Sequence, residues 1–332
     1  MLNLGIIGTN WITKQFIEAS DETNSFKLTH IYSRTEEKAK DFAGSVNAAD
    51  AKISTDLEEF FSSDDFDVVY IASPNSLHYS QSKLAMEHGK HVIVEKPSTA
   101  NIREFTILEE TAKSNNVYFL EAARHIHEPI FKSAEKYVNE NRSELTGGTF
   151  SYMKYSSKYD DFLAKKIPNV FTTKFSGGAL YDLGVYAVYD AVVLLGRPDK
   201  INYDAEILEG GIDGSGVLTL SYPDYDANLI VGKTKNSHIP SEVYFGKKTL
   251  LLMDNGGDIT NVTLVNGNSE DLISNEKSSN PMDAEAVEFA RIIEENDQAA
   301  FEKLLGYSRT VNKLLEQARI TAGIIFESDK EY

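Results

Sequence analysis

The chain has 332 residues, a formal net charge of −18 at pH 7 and no cysteine. Its length and its 41% of hydrophobic residues suffice for one large or two ordinary domains with buried cores. So acidic a chain repels a phosphate backbone, which argues against a nucleic-acid partner. Without cysteine the chain has no disulfide, thiolate metal site or cysteine nucleophile, as suits a reducing compartment. No apolar run reaches about 18 residues and no basic leader is visible, so we expect a cytoplasmic protein with no membrane partner.

The first third alternates short β-branched runs with helical patterns, which is typical of βα units on a parallel sheet. The predicted strands are Leu4–Ile7, Leu28–Tyr32, Val68–Ala72, His91–Glu95 and Val117–Glu121. The predicted helices are Trp11–Ser20, Glu36–Ala43, Leu57–Phe61, Ser76–His88 and Ile102–Ser114. Because these strands are apolar on both faces, we expect an α/β, doubly wound sheet with its ligand at the carboxyl ends of the strands.

From about residue 147 the pattern changes to strand-like alternation separated by Gly, Asn and Asp turns, such as Asn255-Gly256-Gly257-Asp258. The predicted strands are Gly148–Tyr155, Val217–Ser221, Ala227–Lys233, Glu242–Phe245 and Thr249–Met253. They indicate an α+β domain on an open, mostly antiparallel sheet. Helical patterns return near Pro281 and again over about Gly306–Phe326.

The first strand runs into Gly8-Thr9-Asn10-Trp11-Ile12-Thr13, where a dinucleotide-binding loop reads G-x-G-x-x-G/A. Only the first glycine is present. Asn10 tolerates a left-handed backbone, so we expect the tight turn to survive while its side chain crowds a pyrophosphate. We expect Trp11 to pack against the loop. The position after a buried strand supports cofactor binding by residues 8–12, and the alternative is a plain strand-to-helix turn.

The second strand ends at Ser33-Arg34, with Lys38 one helical turn further on. A site specific for NAD usually has Asp or Glu here, whereas two cations suit the 2′-phosphate of NADP. The sequence therefore favours NADP(H) and leaves NAD(H) open. The alternative is that both cations belong to a solvated helix start.

Two further strand ends carry polar residues, Ala72-Ser73-Pro74-Asn75, followed by His78, and Glu95-Lys96-Pro97. A charged pair at the end of an apolar parallel strand is poorly explained by packing and stands where such sheets bind ligands. Pro97 fixes the chain direction after Lys96 and can take the cis form. The alternatives are a surface lysine and a helix histidine without chemistry.

In the second half, Gly177-Gly178 opens a predicted helix that reaches about Leu195. Asp182 and Tyr186 stand four residues apart, which places a carboxylate and a phenol side by side on a helix. Gly184 within the helix indicates that something approaches its backbone closely. The alternative for Asp182 and Tyr186 is an exposed pair without a catalytic role.

Together, the modified glycine loop, Ser33-Arg34, Glu95-Lys96-Pro97, Glu121-Ala122 and the Gly-Gly-x-x-x-Asp-x-Gly-x-Tyr helix resemble the Gfo/Idh/MocA oxidoreductase family. The resemblance implies a Rossmann domain over residues 1–122 and a substrate-binding and oligomerisation domain over residues 123–332. It places Lys96 beside nicotinamide and substrate, and adds Asp182 and Tyr186 as catalytic and substrate-binding groups. A tyrosine at position 186 is more similar to the dihydrodiol and D-xylose branch than to the inositol branch.

The chain departs from the family pattern after Glu121-Ala122, where many relatives carry an arginine and this chain has Ile126. Arg124, His125 and His127 surround that position instead. They are candidates to hold substrate hydroxyls, or they form a satisfied polar seam. No companion ligand cluster accompanies His125 and His127, so we expect no metal site.

The resemblance implies hydride transfer between NAD(P) and a hydroxyl-bearing carbon of a sugar, polyol or dihydrodiol. Tyr186 is the candidate for proton transfer with Lys96 as its electrostatic partner, and Lys96 itself is the competing candidate. A homodimer or homotetramer through the second domain's sheet is expected, because that sheet exposes one face. An NAD-dependent glycosidase on the same fold and a non-catalytic dinucleotide sensor remain the alternatives.

Overall fold

The computed structural model describes residues 1–330, and the chain divides into two compact units. The first unit contains Met1–Arg124 and Ser278–Gly306, and the second contains His125–Lys277 and the residues from 307 onward. The sequence-based division after residue 122 assigned the segment 278–306 to the second domain. The structure differs there because the helix in that segment packs against the first helix of the chain.

The first unit is built on a six-stranded parallel sheet with the strand order β3-β2-β1-β4-β5-β6. Its strands are β1 Leu2–Ile7, β2 Phe26–Tyr32, β3 Lys52–Ser54, β4 Val68–Ile71, β5 His91–Glu95 and β6 Phe119–Ala122. Its helices are α1 Trp11–Thr23, α2 Glu36–Ser45, α3 Leu57–Phe61, α4 Asn75–Glu87, α5 Ile102–Asn115 and, later in the chain, α9 Asp283–Glu295. The predicted doubly wound fold is confirmed; the short edge strand β3 was not predicted.

The centre of this sheet is buried on both faces, as its sequence predicts. All four residues of β4 are fully buried, and the ring of Phe16 from α1 stacks on Tyr70 with centroids 4.1 Å apart. Burying a large apolar side chain contributes about 1.5–3 kcal/mol, so this packing holds α1 and β4 in fixed positions. The loops that follow these elements are therefore carried on a rigid frame.

The second unit is built on an eight-stranded sheet with the order β14-β13-β12-β11-β7-β10-β9-β8. Only β7 and β10 pair in parallel, so the mostly antiparallel prediction is confirmed. Its strands are β7 Gly147–Met153, β8 Lys200–Ile207, β9 Asp213–Ser221, β10 Asp226–Gly232, β11 Ser241–Phe245, β12 Lys248–Leu252, β13 Val262–Asn266 and β14 Ser269–Ser274.

Two helices of this unit, α6 and α8, pack on its sheet. The helices are α6 Pro129–Glu140, α7 Tyr159–Leu163, α8 Val185–Leu195 and the α10 helix Gln298–Thr321, which begins in the first unit. Short 3₁₀ turns cover Arg124–His127, Arg142–Glu144, Asn169–Phe171, Thr173–Phe175 and Glu327–Lys330, and a π-helical turn covers Leu180–Gly184.

The last helix differs from its predicted bounds of Gly306–Phe326. It begins eight residues earlier, because the Asp297 carboxylate accepts a hydrogen bond from the Ala300 amide at 3.0 Å and caps the first turn. It ends at Thr321, shortly before Gly323 adopts a φ of +75°. The helix α6 and the strands β8, β13 and β14 were not predicted.

Among the described residues, the segment Thr173–Leu195 is long and apolar enough by composition to cross a membrane. However, 83% of its most apolar stretch is buried inside the protein, and α8 packs on β7 and β10. Packing in the core of the second unit thus accounts for its composition.

Candidate active site

The candidate cofactor site of the first unit lies at the carboxyl ends of β1 and β4. These two strands are neighbours, but the strands that follow β1 lie on one side of it and the strands that follow β4 lie on the other side. Doubly wound sheets bind their ligands at the point where the strand order reverses in this way. The helix α1 begins at Trp11 directly after the β1 loop, and α4 begins at Asn75 after the β4 loop. Residues 8–10 and 72–74 therefore form the two loops that flank this crevice, and residues 11, 12 and 75 open the helices that follow them.

Gly8 is the residue that makes the β1 loop possible. Its φ is +105°, and a Cβ at this position would lie 2.5 Å from the carbonyl oxygen of Ala72. No side chain fits there, which is the role of the first glycine in a dinucleotide-binding loop. The expectation that Asn10 takes the left-handed conformation is wrong, because its φ is −110° and Gly8 supplies the positive φ.

Asn10 instead caps α1 with its side chain. Its Oδ1 accepts hydrogen bonds from the amides of Ile12 at 2.9 Å and Thr13 at 3.3 Å, and its Nδ2 donates to Ala72 at 2.9 Å. The cap ties the β1 loop to the β4 loop. The Asn10 carboxamide oxygen thus occupies two amides in the first turn of α1, at the helix N-terminus, where an anion binds most readily. This is the crowding that the sequence predicts.

The other residues of the loop are open to solvent to different degrees. Thr9 and Ile12 are half-buried, whereas the Trp11 side chain is 72% exposed. The expectation that Trp11 packs against the loop is therefore wrong. An indole on the surface at this position is available to a ligand instead.

The end of β2 places cations near the same sheet edge. Ser33 is buried and its amide donates to the Ser54 carbonyl at 3.2 Å, while Arg34 and Lys38 are exposed. Within residues 1–330, neither cation forms an ion pair or a side-chain hydrogen bond. Both are thus available for an anionic group such as a 2′-phosphate.

The loop after β5 is held by buried carboxylates on both sides of Lys96. The Tyr70 hydroxyl donates to Glu95 at 2.6 Å, and the Ser98 amide donates to Glu121 at 2.8 Å. Glu95 is buried beside Lys96, and this burial raises the pKa of its carboxyl. The carboxyl therefore contacts groups within the protein and not solvent. The Lys96–Pro97 bond is cis, and Lys96 is the half-buried residue that this loop presents.

His78 joins the β4 and β5 loops. Its Nδ1 lies 2.9 Å from the Pro97 carbonyl oxygen and its Nε2 lies 2.8 Å from that of Ser73. Burial lowers the pKa of His78, so the ring is neutral and donates to one of the two oxygens. Ser73 in turn donates from its hydroxyl to Gln81 at 2.7 Å, while Pro74 is the exposed residue before α4.

A buried carboxyl on α9 was not predicted from the sequence. Glu285 is fully buried, and neither of its oxygens has a hydrogen-bond partner in the described part of the chain. Burial raises its pKa well above the usual range; the charge of Glu95 adds to the rise and that of Arg124 opposes it. Arg124 therefore lies in the electrostatic environment of this carboxyl pair.

A separate group of candidate residues lies within the second unit, around the π-helical turn. The Asp213 carboxylate accepts hydrogen bonds from the Leu180 amide at 2.7 Å and the Tyr203 hydroxyl at 2.6 Å, and so caps the turn. A Cβ on Gly178, whose φ is +118°, would lie 2.1 Å from the same carboxylate. At Gly184 the close approach that the sequence predicts comes from Val231 of β10, at 3.1 Å.

Asp182 projects from this turn and meets a buried lysine. The ammonium of Lys233 lies 2.9 Å from Asp182, donates to the Val170 carbonyl at 2.8 Å and sits 4.4 Å from the centre of the Phe171 ring. The Lys233 side chain is fully buried and that of Asp182 is 34% exposed. Lys233 was missed because only the folded sheet brings the end of β10 to the turn, although a cation ending an apolar strand was a usable signal.

Tyr186 is buried in the first turn of α8 and is surrounded by aromatic rings. Its ring centroid is 4.9 Å from that of His125 and 5.3 Å from that of Tyr152. Burial lowers the pKa of His127 to about 3, so that ring is neutral. Within residues 1–330, no group of three or more acidic or histidine side chains is spaced to hold a metal ion.

These features fit a dinucleotide. The glycine that admits no Cβ, the helix that begins behind it and the unpaired cations after β2 are arranged at one edge of the first unit's sheet as a bound NADP requires. The cap by Asn10 narrows this site, because it occupies the amides of Ile12 and Thr13.

The family comparison agrees with this geometry. Residues 2–122 match the model of an oxidoreductase family with an NAD-binding Rossmann fold. Over 99% of its length the chain is 38% identical to the whole of scyllo-inositol 2-dehydrogenase (NADP(+)) IolU of Bacillus subtilis. The protein therefore belongs to the Gfo/Idh/MocA oxidoreductases.

The chain is also similar to a second dehydrogenase in sequence and to a ketoreductase in structure. It is 27% identical to the trans-1,2-dihydrobenzene-1,2-diol dehydrogenase of Xenopus tropicalis over 66% of this chain and 64% of that protein. The crystal structure of KijD10, a 3-ketoreductase from Actinomadura kijaniata in complex with NADP and TDP-benzene, superposes with a TM-score of 0.81 at 18% identity. That superposition covers 96% of this chain and 97% of that one. At that identity the structural likeness shows the fold alone.

The buried contact of Lys233 predicts a measurable role. We expect Lys233→Met to lower kcat/KM by about tenfold to a hundredfold, because Asp182 loses a charge-assisted hydrogen bond of about 1.5–3 kcal/mol. Steady-state kinetics with NADPH or NADP checks this. Lys235→Met is the matched control, since Lys235 is 55% exposed and lies 3.6 Å from Glu206. An unchanged kcat/KM in the Lys233 variant contradicts a role for this contact.

Proposed function

We propose that this protein is an NADP(H)-dependent dehydrogenase that interconverts a secondary alcohol of a cyclic polyol or sugar and the corresponding ketone. The observation that supports the proposal most is the β5 loop, in which the side chains of Glu95, His78 and Glu121 form hydrogen bonds with the backbone around Lys96, at the carboxyl end of β5. The name of the Bacillus subtilis relative supports a scyllo-inositol-like substrate. The cysteine-free composition supports a cytoplasmic location.

Bound nicotinamide supplies the hydride acceptor or donor, and the protein supplies alignment and one proton transfer. We assign the proton transfer to the Tyr186 hydroxyl and charge stabilisation of the substrate oxygen to Lys96, with Lys96 as the competing proton carrier. Asp182, fixed by Lys233, is assigned to a substrate hydroxyl. Arg124 and His125 stay candidates for further substrate contacts.

A homodimer or homotetramer through the second unit's sheet is also part of the proposal. Along β9 the side chain of Leu218 is buried whereas that of Val217 is 39% exposed, so the two faces of the sheet differ. Val217 pairs with the half-buried Ile230 of β10, so the open face carries an apolar cross-strand pair. Light scattering at micromolar concentration tests this, and a monomer contradicts it.

The function is tested by a screen of inositols, aldoses and dihydrodiols with both cofactors. The absorbance of reduced nicotinamide measures turnover. We expect net reduction of NADP by a cyclic polyol. Tight cofactor binding without turnover, or cleavage of a glycoside without net change in the cofactor, contradicts the proposal.

The choice of NADP over NAD is expected to depend on Arg34. Arg34→Ala should weaken NADPH binding by about tenfold to a hundredfold and leave NADH binding nearly unchanged, because a charge-assisted bond to the 2′-phosphate is lost. Calorimetric titration of both cofactors measures this. Lys40→Ala is the control on the following helix α2, since Lys40 pairs with Glu36 at 2.6 Å. Equal losses for both cofactors contradict a 2′-phosphate site.

The proton-transfer role is tested with Tyr186→Phe. We expect kcat to fall by about 10²–10⁴ with NADPH binding intact, the range for lost general acid–base catalysis. Tyr225→Phe, in the turn between β9 and β10, is the control for removal of a phenol hydroxyl. If the Tyr186 variant keeps more than about a third of kcat while a deuterated substrate shows that chemistry limits the rate, Lys96 carries the proton.

A further inference from the structure

We propose that His125, Asp190 and the turn Asn255–Asp258 form a positioning device for Tyr186, so that these groups control turnover without touching the substrate. The inference rests on the proton transfer proposed for Tyr186 and adds the elements that fix the phenol. It follows from ring contacts, one buried ion pair and two glycines at which a Cβ would lie 3.0 Å or less from its nearest neighbour.

The phenol ring of Tyr186 is held by two rings set at steep angles. His125 lies 4.9 Å away at an interplanar angle of 59°, and Tyr152 of β7 lies 5.3 Å away at 62°. Tyr186 is only 9% exposed. Two tilted neighbours on a buried ring restrict both its rotation and its translation.

His125 is itself held in place by a buried carboxyl. Its Nε2 lies 3.2 Å from Oδ1 of Asp190, and the residues are 3% and 0% exposed. Phe131 and Tyr189 pack against the imidazole edge-on, at 5.8 and 6.0 Å. Because Asp190 follows Tyr186 by one turn of α8, a single helix carries both the phenol and the anchor of its neighbour.

The Asp190 carboxyl is buried beside His125. Neither of its oxygens has a hydrogen-bond partner within residues 1–330, and burial raises its pKa well above the usual range. The ionisable group beside it is the imidazole of His125, whose Nε2 lies 3.2 Å from Oδ1. A raised pKa favours the uncharged carboxyl, which avoids the cost of an isolated buried charge at this support.

The turn Asn255–Asp258 closes over both members of this arrangement. A Cβ on Gly256 would lie 2.5 Å from Oδ2 of Asp190. A Cβ on Gly257 would lie 3.0 Å from Cδ1 of Tyr186 and 3.0 Å from Cε1 of Tyr152. Neither glycine has a positive φ, so close approach rather than backbone conformation requires them.

The turn is fixed to the sheet by its own hydrogen bonds. The Gly256 amide donates to the Ser151 carbonyl of β7 at 3.3 Å, and the Gly257 amide donates to the Asn255 side chain at 3.1 Å. Because the turn is tied to β7 in this way, a Cβ at position 257 presses on the rings of Tyr186 and Tyr152. A displacement of about 1 Å at a reacting group costs about 10² in rate.

The test is Gly257→Ala, alone and combined with Tyr186→Phe. We expect Gly257→Ala to lower kcat about tenfold to a hundredfold, with the Kd for NADPH and the melting temperature nearly unchanged. In the Tyr186→Phe background the same change should have no further effect on kcat, because the hydroxyl that it misplaces is gone. Gly44→Ala is the matched control, since nothing lies within 4 Å of a Cβ at that position.

Each outcome decides the proposal. A kcat within twofold to threefold of wild type for Gly257→Ala overturns it, and so do losses that multiply in the double variant. Full turnover of Tyr186→Phe alone instead contradicts the proposed proton transfer, and that single variant is measured first. If Gly257→Ala fails to fold, Asp190→Asn keeps the side-chain volume, and the same lowered kcat and the same non-additivity with Tyr186→Phe are required.

Discussion

A Cβ on Gly8 would lie 2.5 Å from the carbonyl oxygen of Ala72, and the arrangement of the first unit's ligand edge depends on this approach. It lets the loops after β1 and β4 run side by side, and the Asn10 amide then joins them at 2.9 Å. With that distance fixed, α1 begins directly behind the crevice and its N-terminal dipole faces the position of a pyrophosphate. The cation-bearing end of β2 lies on the same sheet edge.

Two of the candidate site residues in this oxidoreductase, Lys96 and Asp182, are supported by buried polar groups. In the first unit His78 and Glu121 fix the backbone that presents Lys96, and in the second unit Lys233 fixes Asp182. These partners are mostly buried, where a hydrogen bond is electrostatically stronger and its loss more costly than in water. The site thus depends on residues that are not themselves placed to contact substrate.

The sequence predicts the groups that face the ligand better than the groups that hold them. Lys96 was identifiable as a candidate because a charged residue ends an apolar strand. The division into an α/β part and a mostly antiparallel part followed from the change in hydrophobic periodicity along the chain. Lys233 and Asp190 could not be assigned, because their partners lie far away in sequence or on another element. Trp11 was misjudged for a related reason: whether an indole packs or stays exposed depends on tertiary neighbours that a single sequence does not reveal.

The most direct test of this account is the affinity for NADPH of Gly8→Ala, measured by calorimetry beside Gly89→Ala. Gly89 also has a positive φ, +74°, but a Cβ there meets nothing within 4 Å, so it controls for backbone strain alone. The account predicts that both variants keep their secondary structure, that Gly89→Ala binds NADPH like the wild type, and that Gly8→Ala loses about a hundredfold or more, about 2.7 kcal/mol. Wild-type affinity in a folded Gly8→Ala protein would contradict it.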